Sequence, residues 1–221
     1  MTDKPQVLRT YFPHSLCDVL LLSIALILIL LMAGCGGRST AYYVLNSVPA
    51  AQKPDVSAEK KPVAGALTTV SIRQIDIPQY LDKPRMVSRD AGNRLKIAEY
   101  HQWGGQLRDN IARSMADNLA DRLGSATVSM APFPGSVRAD IAVLLDIRQF
   151  ERMPDGYIHM QVQWHVQGRD GAVFSRLEHL KSASRVGEDD YAGMAAAMSG
   201  LLGQLSDHLA EVIAGMKGVR G

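Results

Sequence analysis

The most reactive residue type in this 221-residue chain is cysteine, and Cys35 closes the tetrad Met32-Ala33-Gly34-Cys35. Ala33 and Gly34 are small enough to enter a signal peptidase, and the Cys35 thiol can accept a diacylglycerol. Cleavage before Cys35 then frees an α-amine for a further acyl chain. The residues upstream have the matching order: basic Lys4 and Arg9, then an apolar run from Leu16 to Leu31. Together these describe a secretory signal that ends in a lipobox, spanning residues 1–34. Each buried acyl CH₂ contributes about 0.8 kcal/mol, so several chains on one residue anchor firmly. Met32 stands where leucine is commonest. The competing reading is an uncleaved signal anchor; its apolar stretch of about 17 residues is at the short limit for a span.

Other chemistry is sparse. Cleavage removes Cys17, so the mature chain has neither a disulfide nor a thiol nucleophile. No Gly-x-Ser-x-Gly elbow and no phosphate-loop or dinucleotide glycine spacing occurs. His159 and His165 share a strand face, but six residues at ~3.3 Å each separate them by about 20 Å. His159 can approach His179 across a hairpin, yet no carboxylate or cysteine clearly joins them. The expectation is no catalytic residues, no metal, no cofactor and no enzymatic activity. The net charge of +2 is unchanged by processing, since the signal carries two acids and two bases. So weak a bias gives no reason to expect a nucleic acid partner.

One segment stands apart: Ile77-Pro78-Gln79-Tyr80-Leu81-Asp82-Lys83-Pro84-Arg85-Met86-Val87-Ser88-Arg89, followed later by Trp103. Tyr, Trp and Arg are the usual anchors of interfaces, which makes Tyr80, Arg85, Arg89 and Trp103 a candidate partner-binding set. The alternative is a loop whose Tyr80 and Trp103 pack on the core edge.

The elements that must position these residues read as follows. Residues 35–41 form a lipidated tether and 42–217 a folded domain, with a mobile insertion at 47–66 rich in Pro, Ala, Lys and Glu. Tyr42-Tyr43-Val44-Leu45 reads as a strand. Val70 and Ile72 alternate in one phase and Ile75 and Ile77 in the other, which predicts a bulge near Arg73-Gln74. Short strands follow at 85–89 and 94–98. Leu107, Ile111, Met115, Leu119 and Leu123 recur every four residues, predicting a helix over 105–123 capped by Gly124. Residues 126–130 form a strand ended by the Pro132-Phe133-Pro134-Gly135 turn. Ile141, Val143, Leu145 and Ile147 give the next buried face. Ile158, Met160, Val162, Trp164 and Val166 alternate strictly with polar residues, and a last strand runs from Val173 to Leu180. A long helix begins at Asp189-Asp190, with its stripe running from Tyr191 to Met216. The fold class is α+β: a single domain with a largely antiparallel sheet covered on one face by two long helices.

The order of these motifs resembles the ABC-type transport auxiliary lipoproteins. The lipobox, Tyr42-Tyr43-Val44-Leu45, the 77–84 turn leading to Val87-Ser88-Arg89, Trp103 and the helix ending Asn118-Leu119-Ala120-Asp121-Arg122-Leu123-Gly124 carry the resemblance. It implies a non-enzymatic periplasmic lipoprotein. Its implied partners are an MCE-domain protein and an inner-membrane permease that move lipid between two membranes. An alternative role is a direct carrier holding an acyl chain in an internal cavity. In enterobacterial sorting, aspartate directly after the lipidated cysteine retains a lipoprotein at the inner membrane; Gly36 in that place favours the outer membrane, reached through the Cys35 acyl chains. A homo-oligomer is compatible with a small tethered domain, which gains avidity by assembling.

Overall fold

The apolar run after Leu16 forms α1 (Ser15–Met32), whose leucines from Leu20 to Leu22 are exposed. Ser23 returns its hydroxyl to the Leu20 carbonyl at 2.9 Å, so the polar group is satisfied within the helix. At 1.5 Å per residue α1 is roughly 27 Å long, against ~30 Å of bilayer hydrocarbon. Among the described residues, no helix is long and apolar enough to cross a membrane. The computed structural model describes residues 15–32, 39–49, 68–124, 126–130 and 139–218. Cys35, most of the 47–66 insertion and the Pro132–Gly135 turn lie outside the described residues.

The chain divides into two compact units, Met1–Ser39 and Thr40–Gly221. The second is the α+β domain. Its elements are β1 (Ala41–Tyr43), β2 (Thr69–Asp76), β3 (Arg85–Arg89), β4 (Leu95–Trp103), α2 (Leu107–Leu123), β5 (Thr127–Met130), β6 (Ile141–Arg152), β7 (Ile158–Gly168), β8 (Val173–Lys181) and α3 (Tyr191–Gly218).

β6 organises the sheet. On one side it pairs along its whole length with β7, which pairs in turn with β8, giving the expected antiparallel meander. Gly156 and Gly171, at φ 85° and 89°, make the two turns possible. The other side of β6 is shared by two strands in succession. β2 runs parallel beside Ile141 to Asp146, and β3 meets β6 at Arg152. β5 then extends β2, while β4 and β1 extend β3. Antiparallel ladders carry most of the pairing, but β1–β4, β2–β5, β2–β6 and β3–β6 are parallel. Alternation announces a strand without naming its neighbour, so these crossovers were beyond sequence reading.

The bulge in β2 lies where the phase change predicts it, with the register slipping between Ile72 and Gln74. A second slip, between Ile147 and Gln149, was not anticipated. It keeps Ile147 and Phe150 on the covered face and turns Glu151 to the opposite face beside His159.

α2 and α3 cover the face that carries Ile158, Met160, Val162, Trp164 and Val166. Leu107, Ile111, Met115 and Leu119 of α2 are buried, as are Met194, Met198, Leu201, Leu205 and Leu209 of α3. Asp190 starts α3 by accepting the Gly193 N–H at 2.8 Å; a Cβ at residue 193 would collide with that carboxylate. α2 also carries a buried polar row, Asn110, Ser114 and Asn118, continued by Arg122 at the same four-residue spacing. This row holds the chain that follows β1. Ser114 donates to the Asn46 carbonyl, Asn118 accepts from the Val48 N–H at 2.8 Å, and Arg122 donates to the Val48 carbonyl. Ser199 of α3 accepts from the Asn46 N–H. Residues 46–48 are therefore sewn into the seam between the two helices, so the first residues assigned to the insertion belong to this seam.

Candidate functional site

The connection between β2 and β3 crosses the edge of β6 and ends in a cluster built on Glu151. That carboxylate is 0% exposed. Arg89 reaches its Oε1 through both Nε, at 3.0 Å, and Nη2, at 2.8 Å. The Tyr80 hydroxyl donates to Oε2 at 2.9 Å, as does the Phe150 backbone N–H. The Arg89 guanidinium also lies 5.8 Å from the Tyr80 ring centroid. Burial, and then the charge of Glu151, push the Tyr80 phenol up to about 12. The hydrogen bond to Glu151 raises Arg89 above its ordinary value. A buried carboxylate with donors on both oxygens is a clamp: it fixes residues 77–84 against β6.

The four candidate partner-binding residues are thus divided. Tyr80 and Arg89 are brought together, but around Glu151. Trp103 is 3% exposed and belongs to the core, and its backbone N–H donates to the Pro84 carbonyl at 2.7 Å. Of the four, Arg85 alone is exposed. It stands across from Gln102 of β4, which on its other side faces Tyr42 of β1. Sequence reasoning missed Glu151. The available signal was an acid next to Phe150 where the alternation of β6 breaks.

His159 sits in a charged cluster of its own. His159 lies opposite Lys181, with His179 two pairs further along opposite Gln161. Both His159 and Lys181 contact Asp155 at 3.0 Å. Burial works against ionising Asp155, but the Tyr157 N–H, Lys181 and His159 outweigh it and hold the carboxyl well below the usual range. Among the described residues, no group of three potential ligands is placed to hold a metal ion. A second buried acid, Glu178, accepts from Trp164 Nε1 at 2.9 Å and contacts His208 Nδ1 at 2.7 Å, tying β8 to α3. A cleft of about 360 Å³ lies between residues 182–186 and α3. Ser182, Arg185, Asp190 and Gln204 make its lining partly polar.

Two exposed surfaces bear on docking. One is β8, nine residues long and, among the described residues, paired with β7 alone. Val173, Phe174 and Leu177 are exposed along it. The other is the corner of Tyr42, Val44 and Arg85. An ordered first strand, the 77–84 strap leading into β3, a buried Trp103 and α2 follow one another in the order the sequence motifs required. The chain belongs to the ABC-type transport auxiliary lipoprotein component family. The match to that family covers residues 43–210. It therefore takes in every element of the domain except β1, whose last residue it includes, and the end of α3.

No curated protein matches the chain closely enough to count as a relative. Solved structures share its fold. The crystal structure of an uncharacterized protein aligns with TM-score 0.63 and 18% identity, covering 80% of this chain and 99% of that one. Protein XCC0632 from Xanthomonas campestris, of the family DUF330, aligns with TM-score 0.56 and 17% identity over 82% of this chain and 100% of its own. The family is one of transport auxiliary lipoproteins, and this member has the fold to match.

Proposed function

We propose that the chain is a lipid-anchored, non-enzymatic docking subunit of an intermembrane lipid-transport system, resembling the intermembrane transport lipoprotein PqiC. In this reading Cys35 carries acyl chains in the outer membrane and the domain receives an MCE-type protein served by an inner-membrane permease. The observation that carries the docking role is β8. Among the described residues this nine-residue edge leaves a row of N–H and C=O groups without a neighbouring strand, and its exposed apolar side chains add specificity to any strand laid beside it. Family membership supplies the transport setting. The carrier alternative draws less support, because the 360 Å³ cleft is half-open and partly polar rather than an enclosed apolar channel.

A second copy is the competing occupant of β8. Antiparallel pairing centred on Leu177 would set Arg176 against the Glu178 of that copy and Phe174 against its Leu180. Capture of the acylated protein from membranes that hold the MCE protein and permease tests the main reading. Wild type should retain them, and Leu177→Lys should lose them while keeping its melting temperature. Recovery of neither by wild type counts against the docking role, and a Leu177→Lys effect confined to sedimentation assigns β8 to self-association. Replacing Cys35 by Ser should leave an unprocessed precursor that takes up no labelled fatty acid; normal processing would sink the anchor.

A further inference from the structure

We infer that the corner formed by Tyr42, Val44 and Arg85 rests on the headgroup layer of the membrane that holds the Cys35 acyl chains. The inference depends on the anchor reading above and adds the face by which the domain sits on the lipid.

Chain length comes first. Tyr42 is seven residues beyond Cys35. A fully extended chain covers at most ~3.6 Å per residue, so Tyr42 stays within roughly 25 Å of the acylated residue. β1 begins one residue earlier, which leaves the folded domain little freedom to lift away.

Side-chain chemistry is the second line. Tyr42 is 67% exposed and Val44 47% exposed. An aromatic ring with a polar tip is suited to the boundary between acyl chains and water. Arg85 shares a row with Tyr42 through Gln102, and its planar guanidinium can fork onto a phosphate. Lys83 is exposed two residues before it. β1 itself contains no acid, and Asp82 is held by Arg108 at 3.0 Å. The corner therefore pairs apolar surface with cations, as an anionic lipid surface requires.

Rigidity is the third. Gly104 donates to the Tyr43 carbonyl at 2.6 Å, and Val44 packs over Gly104. The next residues are sewn to α2 and α3. The patch is thus presented in one orientation.

Size decides between lipid and protein as its occupant. A stable protein interface needs about 800 Å² from each partner, far more than a tyrosine and a valine provide. A patch already tethered to the bilayer meets it at high effective concentration, so weak attraction suffices to orient the domain. β8, the larger apolar exposure, lies at the opposite end of the strand order β1-β4-β3-β6-β7-β8. Five spacings of ~4.8 Å put it about 24 Å away, turned toward the periplasm.

The test uses the full-length acylated protein in vesicles of phosphatidylethanolamine and phosphatidylglycerol. The mature chain has no free thiol, so Tyr42→Cys, Val44→Cys and Phe174→Cys each accept one nitroxide. Intact mass first reports acylation. Labels at 42 and 44 should show severalfold lower collision with a water-soluble nickel chelate than the label at 174, and Arg85→Glu should restore access at 42. Acylated protein in which 42 and 44 are as water-accessible as 174 overturns the docking corner and leaves the anchor standing. Protein without acyl mass overturns the anchor and the corner with it.

Discussion

The sheet branches at β6 and ends in β1, β5 and β8, and the β1 and β8 edges are built differently. β1 is three residues long, continues into a segment pinned by Asn118, Ser114 and Ser199, and exposes Tyr42 and Val44 beside Arg85. β8 is three times longer, is held from behind by Glu178 and His208, and among the described residues has no strand on its outer side. Short, pinned and cationic at one edge; long and apolar at the other. The contrast teaches that exposure alone does not define an interaction surface. Backbone availability makes β8 a template for another strand, whereas the β1 corner offers only side chains near the tether.

A frame built on β6 joins these edges, and Glu151 is where that frame can be broken. Arg89→Ala would leave this carboxylate buried without its ion pair, at a cost of about 3–5 kcal/mol. Arg85→Ala, at an exposed position, should stay within about ±0.5 kcal/mol. Denaturant unfolding of both variants reads the difference. Equal midpoints would mean that Glu151 is hydrated and that the strap is not clamped.

From sequence the two arginines looked alike, four residues apart in one Pro- and Tyr-rich segment. What separates them is a contact across 62 residues to a strand whose register had slipped. Local periodicity was enough for the elements: the bulge at Arg73, the alternation of β7, the stripes of α2 and α3. It was not enough for the parallel neighbours of β6, because a buried strand advertises its own faces and never its partner. The polar row Asn110, Ser114, Asn118, Arg122 was not read from the sequence, where the apolar stripe of α2 carried the signal. Its burial follows from chain that arrives from β1. For Trp103 the sequence left both readings open, because its type suits interfaces and cores equally, and its burial agrees with the core reading.

Loosening one edge without the other sharpens the contrast. Asn118→Ala removes the acceptor for the Val48 N–H and should cost about 1–3 kcal/mol. Native-state hydrogen exchange should then quicken at Asn46 and Val48 while the β7–β8 ladder keeps its protection. Uniform loss of protection across the domain would show that the β1 arm is integral to the core and not a separately held edge.

The smallest effect appears only in alkali. Tyr80 has its folded value raised to about 12, against ~10 for an unfolded tyrosine. Below pH 10 both states keep the phenol proton, so the contribution of this group to stability is complete. Between pH 10 and 12 the unfolded chain releases the proton and the folded chain retains it, so stability falls as pH rises. Tyr191, also raised by burial, adds to the same limb, so the measurement must be differential. Melting temperature followed from pH 9 to 12 should drop less steeply in Tyr80→Phe than in wild type, with Tyr191 present in both. Parallel curves would show that the hydroxyl at 2.9 Å from Glu151 is shared with water, and that the frame between the two edges is held by Arg89 alone.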